Sequence, residues 1–197
     1  MGVYINIGNA GFQSVRNGEY VDKSQLIAVI SGTLFTEYRF SCVSRCRRFG
    51  KSMAAKMLCA YYDHSCDSRH LFADLKIASD PSFEKHLNKY PVIYLDMTNF
   101  VSGKKNEIAD SIDAVLLEDI SQIYSDVPVG HNERLSTYLL RVSEAKKQQF
   151  IFIIDEWDAI CREYEAGTKE MDNYVDWLRK MFKSGDAVRT FAGVYMT

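Results

Sequence analysis

The apolar positions of this chain fall into two rhythms. Phe150-Ile151-Phe152-Ile153-Ile154 is an unbroken apolar run between Gln148-Gln149 and Asp155-Glu156. A strand apolar on both faces belongs in a parallel sheet covered on both sides. Pro91 introduces a similar run, Val92-Ile93-Tyr94-Leu95, that ends in Asp96. Tyr38–Ser44 and Val188–Met196, rich in aromatic and β-branched residues, predict two more strands. Other stretches carry apolar residues three and four apart, the helical spacing. Lys51–Tyr62 turns Met53, Ala54, Met57, Leu58 and Tyr61 inward, and Asn106–Ser125 does so with Ile108, Ile112, Val115, Leu116, Ile120 and Ile123. Glu133–Lys146 and Glu170–Phe182 follow the same rule. Asp22 is placed as an N-cap, with Gln25 at the capping-box position and Gly32 as the stop of a short helix. Asp67–Tyr90 predicts short helical pieces, and Met1–Tyr20 a loop with an extended piece at Val3–Ile7. Alternating strands and helices predict an α/β fold of three layers around a mostly parallel sheet.

No repeat, low-complexity tract or linker divides the 197 residues, so residues 1–197 are expected to form one domain. A final buried strand normally leads into another helix. The chain therefore reads as a domain truncated at its C-terminal end, after Thr197.

The chemistry is concentrated at two strand ends. Behind the first predicted strand comes Arg45-Cys46-Arg47-Arg48-Phe49-Gly50-Lys51-Ser52, and a helix starts there. Gly-Lys-Ser between a buried strand and a helix is the end of a phosphate-binding loop. Gly50 lets the backbone approach phosphate, and backbone N–H groups with the positive helix end cradle the anion. Lys51 is expected at the β- and γ-phosphates, and the Ser52 hydroxyl in the shell of a magnesium ion. The full motif has glycine where Arg45 stands; Arg47 and Arg48 offer compensating charge, and Arg47, Arg48, Phe49, Gly50, Lys51 and Ser52 are the expected nucleotide-binding residues. The alternative is a basic turn capped by glycine.

The second strand end is Ile153-Ile154-Asp155-Glu156. A buried strand ending in two carboxylates suits nucleoside-triphosphate hydrolysis, with Asp155 on the metal and Glu156 orienting the attacking water. Alone, Asp155 would equally cap the next turn and Glu156 would be solvated. Both motifs in one short chain, at the carboxyl edge of one parallel sheet, favour a bound ATP with Mg2+. Asp96, closing its own strand, and Thr197, where a polar γ-phosphate sensor is expected, are further candidates. Asp158 is expected to be structural.

With these residues in place the chain resembles the AAA-ATPase-like family of P-loop NTPases. The resemblance runs through Tyr20-Val21-Asp22-Lys23-Ser24, Arg45–Ser52, Tyr90–Asp96, Ile153–Asp158 and Tyr195-Met196-Thr197. That family also carries arginine in place of the first loop glycine, whereas Cys46 departs from its usual proline. The resemblance implies an extra strand between the phosphate-loop strand and the Asp155 strand, and the usual roles for Lys51, Ser52, Asp155 and Glu156. It also implies that Tyr20–Ser24 approaches the base. Family members often continue past the final strand into a nuclease-like C-terminal domain.

Composition narrows the remaining choices. Net charge is −2 at pH 7, so bulk charge does not favour nucleic acid, though a local basic patch is left open. No apolar run approaches the 18 or so residues of a membrane span, and no signal peptide is visible; a cytoplasmic protein with no membrane partner is expected. Five cysteines without a C-x-x-C pair argue against a disulfide framework, and the Cys59, His64, Cys66, His70 spacing matches no common zinc module. Three functions compete: an ATPase that drives or switches an attached domain or protein partner, a module that senses nucleotide without turnover, and a small-molecule kinase. Glu156 speaks for the first and against the third. An arginine supplied by a neighbouring subunit would imply an oligomer; Arg162, Arg179 and Arg189 are the candidates, each better suited to a surface charge.

Overall fold

A computed structural model of the protein describes residues 2–44, 48–101 and 108–197. Two helices, α1 (Ala10–Arg16) and α2 (Gln25–Ser31), precede strand β1 (Phe40–Cys42). Helix α3 (Lys51–Tyr62) follows, then α4 (Arg69–Phe72), a 3-10 turn at Lys76–Ser79 and α5 (Phe83–His86). Strand β2 (Val92–Asp96), α6 (Thr98–Val101), α7 (Ile108–Ile123) and α8 (Leu135–Lys146) lead to β3 (Phe150–Asp155). The chain goes on through α9 (Ala159–Glu163), α10 (Lys169–Phe182) and α11 (Ala187–Thr190) into β4 (Phe191–Met196).

The four strands pair in parallel in the order β1-β4-β3-β2. Strand β4 thus lies between the strand that precedes the Gly-Lys-Ser turn and the strand that ends in Asp155, as the family resemblance implied. Strand β3 is buried along its whole length, as a central strand must be. Its alternate residues feed two cores. Ile151 and Ile153 pack with α3 and the N-terminal helices, beside Val92 of β2 and Tyr195 of β4. Phe150, Phe152 and Ile154 pack with α7, α8 and α10 on the other face.

Several expectations change. Residues 10–16 are helical where loop was expected, because Phe12 is fully buried and stacks on Phe72 with ring centroids 5.1 Å apart. Ser24, and not Asp22, is the N-cap residue of α2. Asp22 instead accepts hydrogen bonds from the backbone N–H groups of Ser24 (2.8 Å) and Lys76 (2.9 Å). Strand β1 is shorter than Tyr38–Ser44, and Tyr38 is exposed. Val188 belongs to the helical turn α11, so β4 begins at Phe191.

On α7 the apolar face is interrupted. Ile123 is exposed, while Asp119 is buried and its carboxylate accepts from the N–H groups of Val3, Tyr4 and Ile5 at 2.9, 2.6 and 3.0 Å. Those three bonds hold the N-terminal segment along β2, where Ile5 bridges Ile93 in antiparallel fashion. Among the described residues no helix is long and apolar enough to cross a membrane.

Candidate functional site

Helix α3 begins directly after Gly50, whose φ of +76° lies in the left-handed region. Arg48 is also left-handed (φ +68°), Phe49 between them is not, and Lys51 opens the helix. Alternation of this kind turns successive N–H groups toward one concavity, an arrangement suited to anions. A glycine adopts φ +76° without the steric cost that a side chain incurs there. Arg45, Cys46 and Arg47 lie outside the described residues.

A cleft of about 700 Å³ opens over this turn, a size suited to a small-molecule ligand. Arg48, Phe49, Gly50, Lys51 and Ser52 form one wall, and Glu156 reaches it from the end of β3. Tyr20, Val21, Met53 and Met57 also line it. Met53, expected to point into the core, is 47% exposed and serves the cleft instead. Val21, Phe49 and Met53 are exposed apolar side chains that line the cleft, a surface suited to a flat, weakly polar ring.

Beneath the cleft lies Asp155, 2% exposed. Its Oδ1 accepts from Ser52 Oγ at 3.2 Å, and its Oδ2 accepts from the Tyr94 hydroxyl at 3.0 Å. Burial pushes the Asp155 carboxyl above the usual carboxylate range, against the two hydroxyls that favour its ionised form. Burial and the neighbouring Asp155 carboxylate likewise raise the Tyr94 hydroxyl. Tyr94 had no functional reading in the sequence; its position on β2, beside β3 in parallel register, brings it to Asp155.

Ser52 and Asp155 offer hard oxygen donors. Ligands about 2.1 Å from an octahedral magnesium ion stand about 3 Å apart along an edge, so the 3.2 Å spacing suits two adjacent positions on such an ion. Thr197 lies at the same edge of the sheet. Its N–H donates to Ile154 O and its carbonyl accepts from Trp157 N, which fixes it beside the end of β3. Its hydroxyl is buried without a hydrogen-bond partner among the described residues. Such a group normally finds a partner, protein or otherwise.

Glu156 sits at a left-handed φ of +52° and its carboxylate accepts from Arg162 at 2.6 Å. Arg162 also pairs with Asp158 at 2.5 Å. Arg162 is therefore tied to the candidate site from its own chain. Arg189 pairs elsewhere, with Glu144 and Asp186. Asp96 pairs in register with Asp155, but one of its oxygens caps Thr98, accepting from N (2.9 Å) and Oγ1 (2.6 Å). Among the described residues no group of three His, Cys, Asp or Glu side chains gathers as a metal site.

A parallel sheet covered by helices, with a left-handed glycine turn leading into α3 beyond β1, defines an α/β domain of the P-loop kind. The family described as Predicted AAA-ATPase matches residues 6–196, and the chain belongs to that family. It is accordingly a nucleotide-binding, ATPase-like domain. No curated protein and no solved structure matches the chain.

Proposed function

We propose that this chain binds ATP with Mg2+ in the cleft over Arg48–Ser52 and hydrolyses it, driving or switching an attached domain or a protein partner. The observation that carries the reading is the contact between Ser52 Oγ and Asp155 Oδ1, 3.2 Å apart and 103 positions apart in sequence. It joins the start of the phosphate-loop helix to the carboxylate at the end of β3. The loop N–H groups, with Lys51, Arg47 and Arg48, hold the phosphates. Ser52 and Asp155 hold the magnesium ion, which when bound neutralises charge on the phosphate oxygens. Glu156 orients the water, and the apolar lining at Tyr20, Val21 and Met53 takes the base.

The test measures nucleotide binding and phosphate release together. Lys51→Ala is expected to lose ATP binding. Glu156→Gln is expected to keep binding and to release phosphate at least about a hundredfold more slowly, the lower range for general acid–base catalysis. Unchanged ATP affinity in Lys51→Ala would remove the reading altogether. A second reading, ATP sensing without turnover, is favoured by one observation: the Glu156 carboxylate is engaged by Arg162 and not left to a water. Wild-type protein that binds ATP and releases no phosphate would decide for it.

A further inference from the structure

Lys23 lies ahead of β1 in sequence, far from the Gly-Lys-Ser turn, yet its ammonium donates to the carbonyl oxygen of Phe49 at 2.7 Å. It also stands 3.3 Å from the point a side chain at Gly50 would occupy. We infer that Lys23 is a positioning residue for the phosphate site: it fixes the peptide plane between Phe49 and Gly50 so that the Gly50 N–H faces the anion. This inference rests on the ATP-binding reading above.

The argument is geometric. In a trans peptide the carbonyl and the following N–H point in opposite directions. Drawing the Phe49 carbonyl toward Lys23 therefore turns the Gly50 N–H away from Lys23. The left-handed Arg48 and Gly50 make the same peptide part of the anion-directed turn. Without a fixed carbonyl the plane is free to rotate, and the cradle would have to be ordered at the moment of binding.

Lys23 is itself held from both sides. Asp22 accepts from Lys76 N at 2.9 Å, and Ser24, fully buried, accepts from Ile77 N at 3.1 Å. The Tyr20 hydroxyl donates to Met57 Sδ at 3.2 Å, which ties the segment to α3. The strap is thus anchored to α3 and to the Lys76–Ser79 turn, and Lys23 reaches from it to the loop.

The experiment compares MgATP and AMP binding to the wild type, Lys23→Met and Lys23→Arg, with a thermal melt of each protein. Ordering the backbone of one residue at the moment of binding corresponds to about a tenfold effect. Lys23→Met is expected to weaken MgATP about tenfold and AMP less than about twofold, with the nucleotide-free melt unchanged; Lys23→Arg, which keeps a cationic donor within reach of the same carbonyl, is expected to recover most of the loss. Equal losses for MgATP and AMP would make Lys23 a general structural tether and overturn the inference, as would full MgATP affinity in Lys23→Met. Failure of the wild type to bind MgATP would instead sink the ATP-binding reading, independently of Lys23.

Discussion

Replacing Asp155 by asparagine should make the nucleotide-free protein more stable and its magnesium–nucleotide complex weaker. Asp155 is 2% exposed, and its two oxygens accept from Ser52 and Tyr94. An amide keeps both contacts, because its oxygen accepts from one hydroxyl and its NH2 group donates to the other. What the amide removes is a buried negative charge. Burial holds the folded carboxyl above its ordinary range, so as pH rises the unfolded chain ionises first. The stability contribution of Asp155 is complete at low pH, falls as pH rises from the ordinary carboxylate range through the raised folded value, and stays lost at neutral pH. The neutral amide of Asp155→Asn escapes that loss. The gain expected at pH 7.5 is about 0.5–2 kcal/mol, typical of substitutions that relieve functional strain. For a chain of this length that is roughly 1–8 °C in Tm. At pH 4 the difference should shrink. With MgATP at a hundred times its Kd the wild type gains about 2.7 kcal/mol, and Asp155→Asn should gain far less, reversing the ranking. Thermal unfolding at the two pH values, with and without MgATP, reads all of this. A nucleotide-free Asp155→Asn protein less stable than wild type at pH 7.5 would refute the burial argument. Equal stabilisation by MgATP would refute the metal role.

Two further outcomes are expected. Asp119→Ala removes the acceptor of three backbone N–H groups, of which the Ile5 bond is buried. The cost should be about 2–4 kcal/mol in urea unfolding, since water can reach only part of what is exposed; a loss below about 1 kcal/mol would mean the N-terminal segment is held by other contacts. Arg162→Ala frees the Glu156 carboxylate from a partly exposed ion pair, worth up to about 1 kcal/mol. Phosphate release should then rise about two- to fivefold at unchanged ATP affinity, and a fall would show that Arg162 assists the reaction.

Elements set by local chemistry were legible before any coordinates. The period of Lys51–Tyr62 and Gly50 before it predict α3 with the bounds it has, and the apolar run at Phe150 predicts β3 buried along its whole length. Gly-Lys-Ser at the start of α3 and Asp-Glu at the end of β3 are likewise legible, because each is a short contiguous stretch. Pairing across the sheet is a different matter. Tyr94 reaches Asp155 only because β2 lies beside β3, and Thr197 reaches the same edge only because β4 is inserted between β1 and β3. Lys23, Arg162 and Asp119 carry charges that would sit equally well in water. Their partners Phe49 O, Glu156 and the N-terminal backbone are chosen by the packing of whole elements. The sequence by itself determined the main strands and helices, α3 and β3 among them, and it carries the residue types that suit phosphate chemistry, since those depend on neighbours along the chain. Tertiary structure alone decided which polar side chains meet, since that depends on strand order and on which face each residue turns inward.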